Sequence, residues 1–81
     1  MKVHPSAAKH GVSSPDAIQA AKWALWIEPL EGDGPPGREL RLGFDTAARL
    51  PETVVLVFET GDEMVIHAIP ARKKYLDLLP P

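Results

Sequence analysis

The sequence predicts an α+β domain, and three observations carry that prediction. Between Ser14 and Leu25 apolar residues recur at helical spacing, with Ile18, Ala21 and Leu25 on one face. Between Arg38 and Ala68 the period changes to two, the signature of strands. At 81 residues, 44% apolar and 25% charged, the chain suits one domain, residues 1–81, with one modest core. Helices before and after a run of strands give a mostly antiparallel four-stranded sheet with N-terminal helices and a C-terminal helix.

Each element has its own signals. In HPSAAKHGV, Pro5 suits a first helical position and Gly11 the residue past a helix end, which predicts a short helix from about 5 to 10. In SSPDAIQAAKWAL, Ser14 is the expected cap, Pro15 opens the first turn and Asp16 complements the helix dipole. LWIEP, residues 25 to 29, reads as a short strand. EGDGPPG, residues 31 to 37, has three Gly, two Pro and no apolar side chain, so it is a loop and the expected flexible point.

In RELRLGFD, Leu40, Leu42 and Phe44 alternate with Glu39, Arg41 and Asp45, the pattern of a half-buried strand. TVVLVFE is apolar on both faces and predicts a central strand. TGD at 60 to 62 signals a hairpin into the strand EMVIHA. Pro70 is then expected to open a last helix with Ala71, Tyr75, Leu78 and Leu79 on one face, ended by Pro80 and Pro81. If the helices cover the face bearing Leu40, Leu42, Val54, Leu56, Phe58, Met64 and Ile66, then Arg41 and His67 emerge on the opposite, open face.

Composition narrows the function classes. There is no cysteine, which excludes a disulfide framework and any thiolate ligand or nucleophile. No segment approaches the roughly 20 apolar residues of a membrane span, and the N-terminus lacks a signal-peptide core. A cytoplasmic protein with no membrane partner is expected, and its small core would also suit a homodimer. The net charge is −2 and the pI about 5.8. Residues 66 to 75, IHAIPARKKY, hold Arg72, Lys73 and Lys74 and no acid, so they carry +3 and the remainder −5.

Three cations at the start of a helix are badly placed, because that end already carries partial positive charge and unsatisfied N–H groups. Something negative is expected there. An open sheet face with Arg41 and His67, rimmed by such a helix start, has parts for phosphate chemistry: arginine forks for phosphate oxygens and an imidazole that moves protons near neutral pH. His67, Arg72 and Arg41 are the catalytic candidates, with His67 as base or acid and the arginines stabilising charge. His4, His10 and His67 lack metal-ligand spacing, and no HExxH, GxSxG or P-loop occurs, so neither metal nor cofactor is assigned.

KHGVS at 9 to 13, a following helix, a glycine- and acid-rich loop, RELRLGFD, an apolar strand and IHAIPAR at 66 to 72 together resemble the BrnT-like ribonuclease toxins of bacterial toxin–antitoxin systems. The resemblance implies a RelE-like fold, metal-independent endoribonuclease activity on mRNA, and neutralisation by a cognate antitoxin protein. It carries Lys9, His10 and Arg72 over as motif residues, with Lys9, His10, Lys73 and Lys74 as RNA contacts. The alternative is a non-catalytic interaction module of the same fold, binding a protein partner through an open sheet face at Val55 and Val57.

Overall fold

Two breaks in the first fifteen residues set the helical layer. Pro5 opens a 3₁₀ helix, Pro5–His10, and Gly11 ends it at φ +80°, a left-handed conformation that a side chain would strain. Helix α1 (Ser14–Lys22) then starts from a reciprocal cap. Ser13 Oγ accepts from the Asp16 N–H and donates to the Asp16 carboxylate at 2.9 Å. The cap is therefore Ser13, not Ser14, and Pro15 sits in the first turn, where its missing N–H costs nothing. The computed structural model describes residues 1–30, 32 and 36–79.

The sheet has five strands where four were expected. They are β1 (Lys2–Val3), β2 (Trp26–Leu30), β3 (Gly37–Leu42), β4 (Pro51–Val57) and β5 (Glu63–Pro70), in the order β1-β5-β4-β3-β2. β1 runs parallel to β5, and every other pairing is antiparallel. Two residues are too few to show a period of two, which is why β1 escapes a sequence reading. The apolar segment TVVLV is central, as β4, and LWIEP contributes the edge strand β2. The TGD turn closes the β4–β5 hairpin, with Gly61 at φ +90° and Phe58 N–H donating to Asp62 O at 2.9 Å. Most of the expected loop, residues 31 and 33–35, lies outside the described residues.

The last helix is shorter and later than Pro70 suggests. Pro70 is the final residue of β5, opposite Pro51, and the Ala71 N–H donates to Leu50 O at 2.8 Å, which keeps the chain extended. Helix α2 spans only Lys73–Leu76, one turn, with Arg72 as its N-cap. None of the helices formed by described residues is long and apolar enough to cross a membrane.

The expected choice of faces is reversed. α1 covers the face carrying Arg41, Thr53, Val55, Val65 and Ala68; Val55, Val65 and Ala68 pack with Ala7, Ala17 and Ala21, and Val3, Val12 and Val57 flank them. Val55 is thus fully buried and supplies no exposed apolar area. Arg41 does not emerge on an open face: it is only 6% exposed, beneath α1. Its guanidinium donates to Glu39 at 2.7 Å, to Glu63 at 2.6 Å and to the Ala21 carbonyl at 3.2 Å. Burial alone would push Arg41 down, but the hydrogen bonds that it donates to Glu63 and Glu39 outweigh it, so its affinity for the proton rises. The hydrogen bond from Arg41 likewise holds the Glu63 carboxyl below the usual range against its partial burial. An apparently polar strand face is in this way made compatible with a core.

The close approach of α1 to the sheet rests on small residues on both sides. Ala17, Ala20 and Ala21 line the helix underside, and beneath Ala20 lies Gly43, where an added Cβ would stand 2.2 Å from the Ala20 carbonyl oxygen. Any side chain there would lift the helix. Two outcomes follow for equilibrium unfolding in denaturant. Arg41→Ala should cost about 2 kcal/mol, below the usual figure for a broken buried pair because Glu39 and Glu63 keep some solvent. Gly43→Ala should cost about as much through overpacking against backbone; a change within about 0.5 kcal/mol at either position would contradict this account of the layer.

Candidate active site

The missing negative charge at the last helix comes from β4. Glu52 is 1% exposed, and its carboxylate accepts three hydrogen bonds from Arg72: the backbone N–H and Nε on Oε1, both at 3.0 Å, and Nη2 on Oε2 at 3.1 Å. A buried carboxylate is tolerated only when paired and hydrogen-bonded, and Arg72 does both. The same bonds raise the proton affinity of Arg72. They also place a carboxylate on the backbone N–H of Arg72, the residue that opens the turn, which answers the first of the three cations in ARKK.

The guanidinium is fixed from a second side. Nη2 donates to Tyr75 Oη at 3.1 Å, and Cζ lies 5.0 Å from the Tyr75 ring centroid, with Lys74 Nζ 4.9 Å from the same ring. Arg72 is nevertheless 54% exposed along its side chain. It is a held cation with an open side, the arrangement that stabilises charge without reorganising first.

His67 reaches the neighbouring position through an irregularity in β5. Plain alternation would put His67 on the α1 side with Val65. The β4–β5 register shifts between Val54 and Val55, so Val55 faces Val65 while Val54 faces His67, and Ile66 is the extra residue of a β-bulge. His67 therefore shares the face of Val54, away from α1. Glu52 and Ile69 form the next cross-strand row on that face, so His67 and the Glu52–Arg72 pair lie one row apart, roughly 7 Å along the strand. The expectation that His67 leaves the helix-covered face is met, though by a bulge and not by alternation.

The KHGVS segment meets the same region. The 3₁₀ helix runs along the edge of β5 beyond the end of β1, tied by Ser6 Oγ donating to Ile66 O at 2.7 Å. This brings the His10 ring to 5.7 Å from the His67 ring, centroid to centroid, in an edge-on arrangement. Lys9 is exposed beside it, and Lys73 and Lys74 are exposed after Arg72. Of the sequence candidates, the fold thus sets His10 against His67, places Arg72 just beyond the end of the same strand, and takes Arg41 out of reach under α1.

A cleft of about 350 Å³ opens beside His10. His10, Gly11 and Val12 form one wall; Asp45, Arg49, Leu50 and Pro51 a second; and Pro70, Ala71 and Leu76 the third. The second wall is held by two carboxylates. Asp45 Oδ1 accepts from the backbone N–H groups of Ala47 and Arg49, and its Oδ2 from Arg49 Nε at 3.0 Å. Asp16, at the start of α1, accepts from Thr46 N–H and Thr46 Oγ1 and lies 3.4 Å from Arg49 Nη2. The turn is tight enough to hold Ala48 at φ +60°. Among the described residues, no three His, Asp or Glu side chains come together as a metal-ligand group.

Glu52, Tyr75 and Arg49 are the participants that a sequence reading misses. Glu52 had a faint signal, a lone charged residue near the start of the mostly apolar strand PETVVLV. Tyr75 sits three residues after Arg72, one helical turn, but reads equally well as core. Arg49 has no sequence signal, because its place depends on the Asp45 turn.

Thr46's hydrogen bonds, then Ser13's, hold the Asp16 carboxyl below its ordinary value of 3.8, with Arg49 adding to them against some burial. A carboxyl lowered on folding stabilises the folded state fully above its unfolded pKa, and that contribution is lost as pH falls through the folded one. The Thr46 amide should therefore exchange slowly with solvent above about pH 4 and lose protection as the pH drops further. Asp16→Asn should abolish this acid dependence; an unchanged profile in the variant would show that Asp16 does not hold the turn. Comparisons with protein-family models, curated proteins and solved structures find no match for the chain.

Proposed function

We propose that the protein is a metal-independent endoribonuclease acting as the toxin of a toxin–antitoxin pair, built on a RelE-like variant of its α+β fold. The observation that carries this reading is the approach of His10 and His67 to 5.7 Å at the end of β5 that also leads to the fixed guanidinium of Arg72. Two imidazoles and a held cation are sufficient for phosphodiester transesterification. One neutral imidazole takes the 2′-hydroxyl proton as the 2′-oxygen attacks phosphorus. Arg72 balances the charge gathering on the phosphoryl oxygens, and the other imidazole, protonated, gives its proton to the departing 5′-oxygen. The products are a 2′,3′-cyclic phosphate and a 5′-hydroxyl.

Glu52 and Tyr75 act as positioning residues, since they touch Arg72 and not the reacting atoms. Lys9, Lys73 and Lys74, all exposed, supply phosphate contacts along the strand. The likeness of KHGVS and IHAIPAR to the toxin motifs supports the same reading, and with it a cognate antitoxin that covers this end of the sheet.

A second reading, a non-catalytic interaction module, draws on a different surface. Trp23, Leu25 and Ile27 are largely exposed at alternate positions leading into the edge strand β2. The purified chain with RNA of mixed sequence separates the two. Cleavage should leave 2′,3′-cyclic ends, persist in EDTA and weaken as salt rises. His67→Ala and His10→Ala should each lower the rate about a hundredfold or more, and Arg72→Ala similarly, in variants shown to be folded. A wild type that neither cuts nor binds RNA at low salt would leave the interaction module as the better account.

A further inference from the structure

The cleft beside His10 shares that residue with the proposed cleavage site, so a ligand filling it lies next to the imidazole pair. Its walls are chiefly apolar, from Val12, Leu50, Pro51, Pro70 and Leu76, and Gly11 leaves open space where a side chain would project. Such walls suit a planar heterocycle stacked between them. The one arginine or lysine on the lining is Arg49, 70% exposed along its side chain and steadied by Asp45, itself on the lining, and by Asp16. We propose that this cleft is a nucleobase pocket that takes the base on the 5′ side of the cut and that Arg49 reads it, favouring guanine. This rests on the ribonuclease reading for its role in catalysis, though not for the binding itself.

The preference follows from donor and acceptor counts. A guanidinium offers donors only. Guanine presents two adjacent acceptors, N7 and O6, whereas adenine sets an amino donor beside its N7, where it faces the guanidinium donors. Asp45 and Asp16 engage Nε and Nη2 of Arg49, which fixes the plane of the group. A base recognised this way must be unstacked from its neighbours, as single-stranded RNA allows. A protein segment could fill an apolar cleft too, but it would not account for a donor-only group set at the rim of a pocket that opens on His10.

Guanosine 3′-monophosphate and adenosine 3′-monophosphate are the probes, titrated into the full chain labelled with nitrogen-15. The guanine nucleotide should shift the amides of Val12, Leu50 and Ala71 and bind roughly tenfold tighter than the adenine one. Arg49→Gln should bring the two affinities together, and Leu76→Ala, which removes an exposed wall without touching the Asp45 turn, should weaken both. Shifts confined to Lys73 and Lys74, or equal affinity in the wild type, would overturn the pocket. RNA cleavage measured alongside keeps the two claims apart. Cleavage without these shifts removes the pocket and leaves the ribonuclease, and guanine-selective shifts without cleavage do the reverse.

Discussion

The carboxylate of Glu52 is the constraint on which the far end of the molecule depends. It sits at the start of the central strand, almost wholly removed from water, and a charge in that position requires a partner. Arg72 answers with its backbone N–H and two guanidinium nitrogens. Those bonds settle where β5 ends, where the last turn begins and which way Arg72 points. The chain beyond Pro70 has little apolar burial of its own, since no residue of α2 is buried. Electrostatics, and not a hydrophobic face, therefore docks the C-terminal turn on the sheet.

The same strand pair contains the bulge that turns His67. Pairing Ile66 into the ladder in place of the bulge would restore alternation and rotate His67 toward α1, against the alanine and valine core. The bulge lies just beyond the His67 row of the β4–β5 ladder, and the buried Glu52 occupies the next row on the same face. One irregularity and one buried charge, neither favourable for a sheet, thus act on adjacent side chains. Departures from local rules that coincide in space point to a site more strongly than either does alone.

Much of the scaffold was legible from period and punctuation. Pro5 and Gly11 bracket the 3₁₀ helix, and the apolar run at 54 to 57 marks the central strand, because local backbone preferences and burial agree at those places. The layer assignment was not legible. β4 is apolar on both faces, so its period cannot say which face meets α1. β3 reads as polar on the face that is in fact buried, since Arg41 is neutralised by Glu39 two residues earlier and by Glu63 across the sheet. A charge that is compensated by tertiary contacts carries no mark in the linear sequence. Arg72 of the candidate site was noticeable for the same reasons in reverse: its charge was misplaced by local rules, and the pairing that answers it lay twenty residues away in Glu52.

That pairing bears on the proposed ribonuclease role, which asks an acidic chain to hold a polyanion. With a net charge of −2 the protein has no global field to draw RNA in. Arg72 is moreover partly neutralised by the carboxylate that holds it, so its long-range pull is smaller than that of a free arginine. In the proposed reaction what remains strong is short-range: a cation whose position is already settled would meet a phosphoryl group that develops charge only as the reaction proceeds. A site of this kind gives up ground-state affinity and keeps its advantage for the transition state, where added binding raises the rate and not merely the occupancy. Under the proposed toxin role, in which a protein partner silences the enzyme, weak capture combined with fixed chemistry is a coherent division, since the partner would then compete with a loosely held substrate.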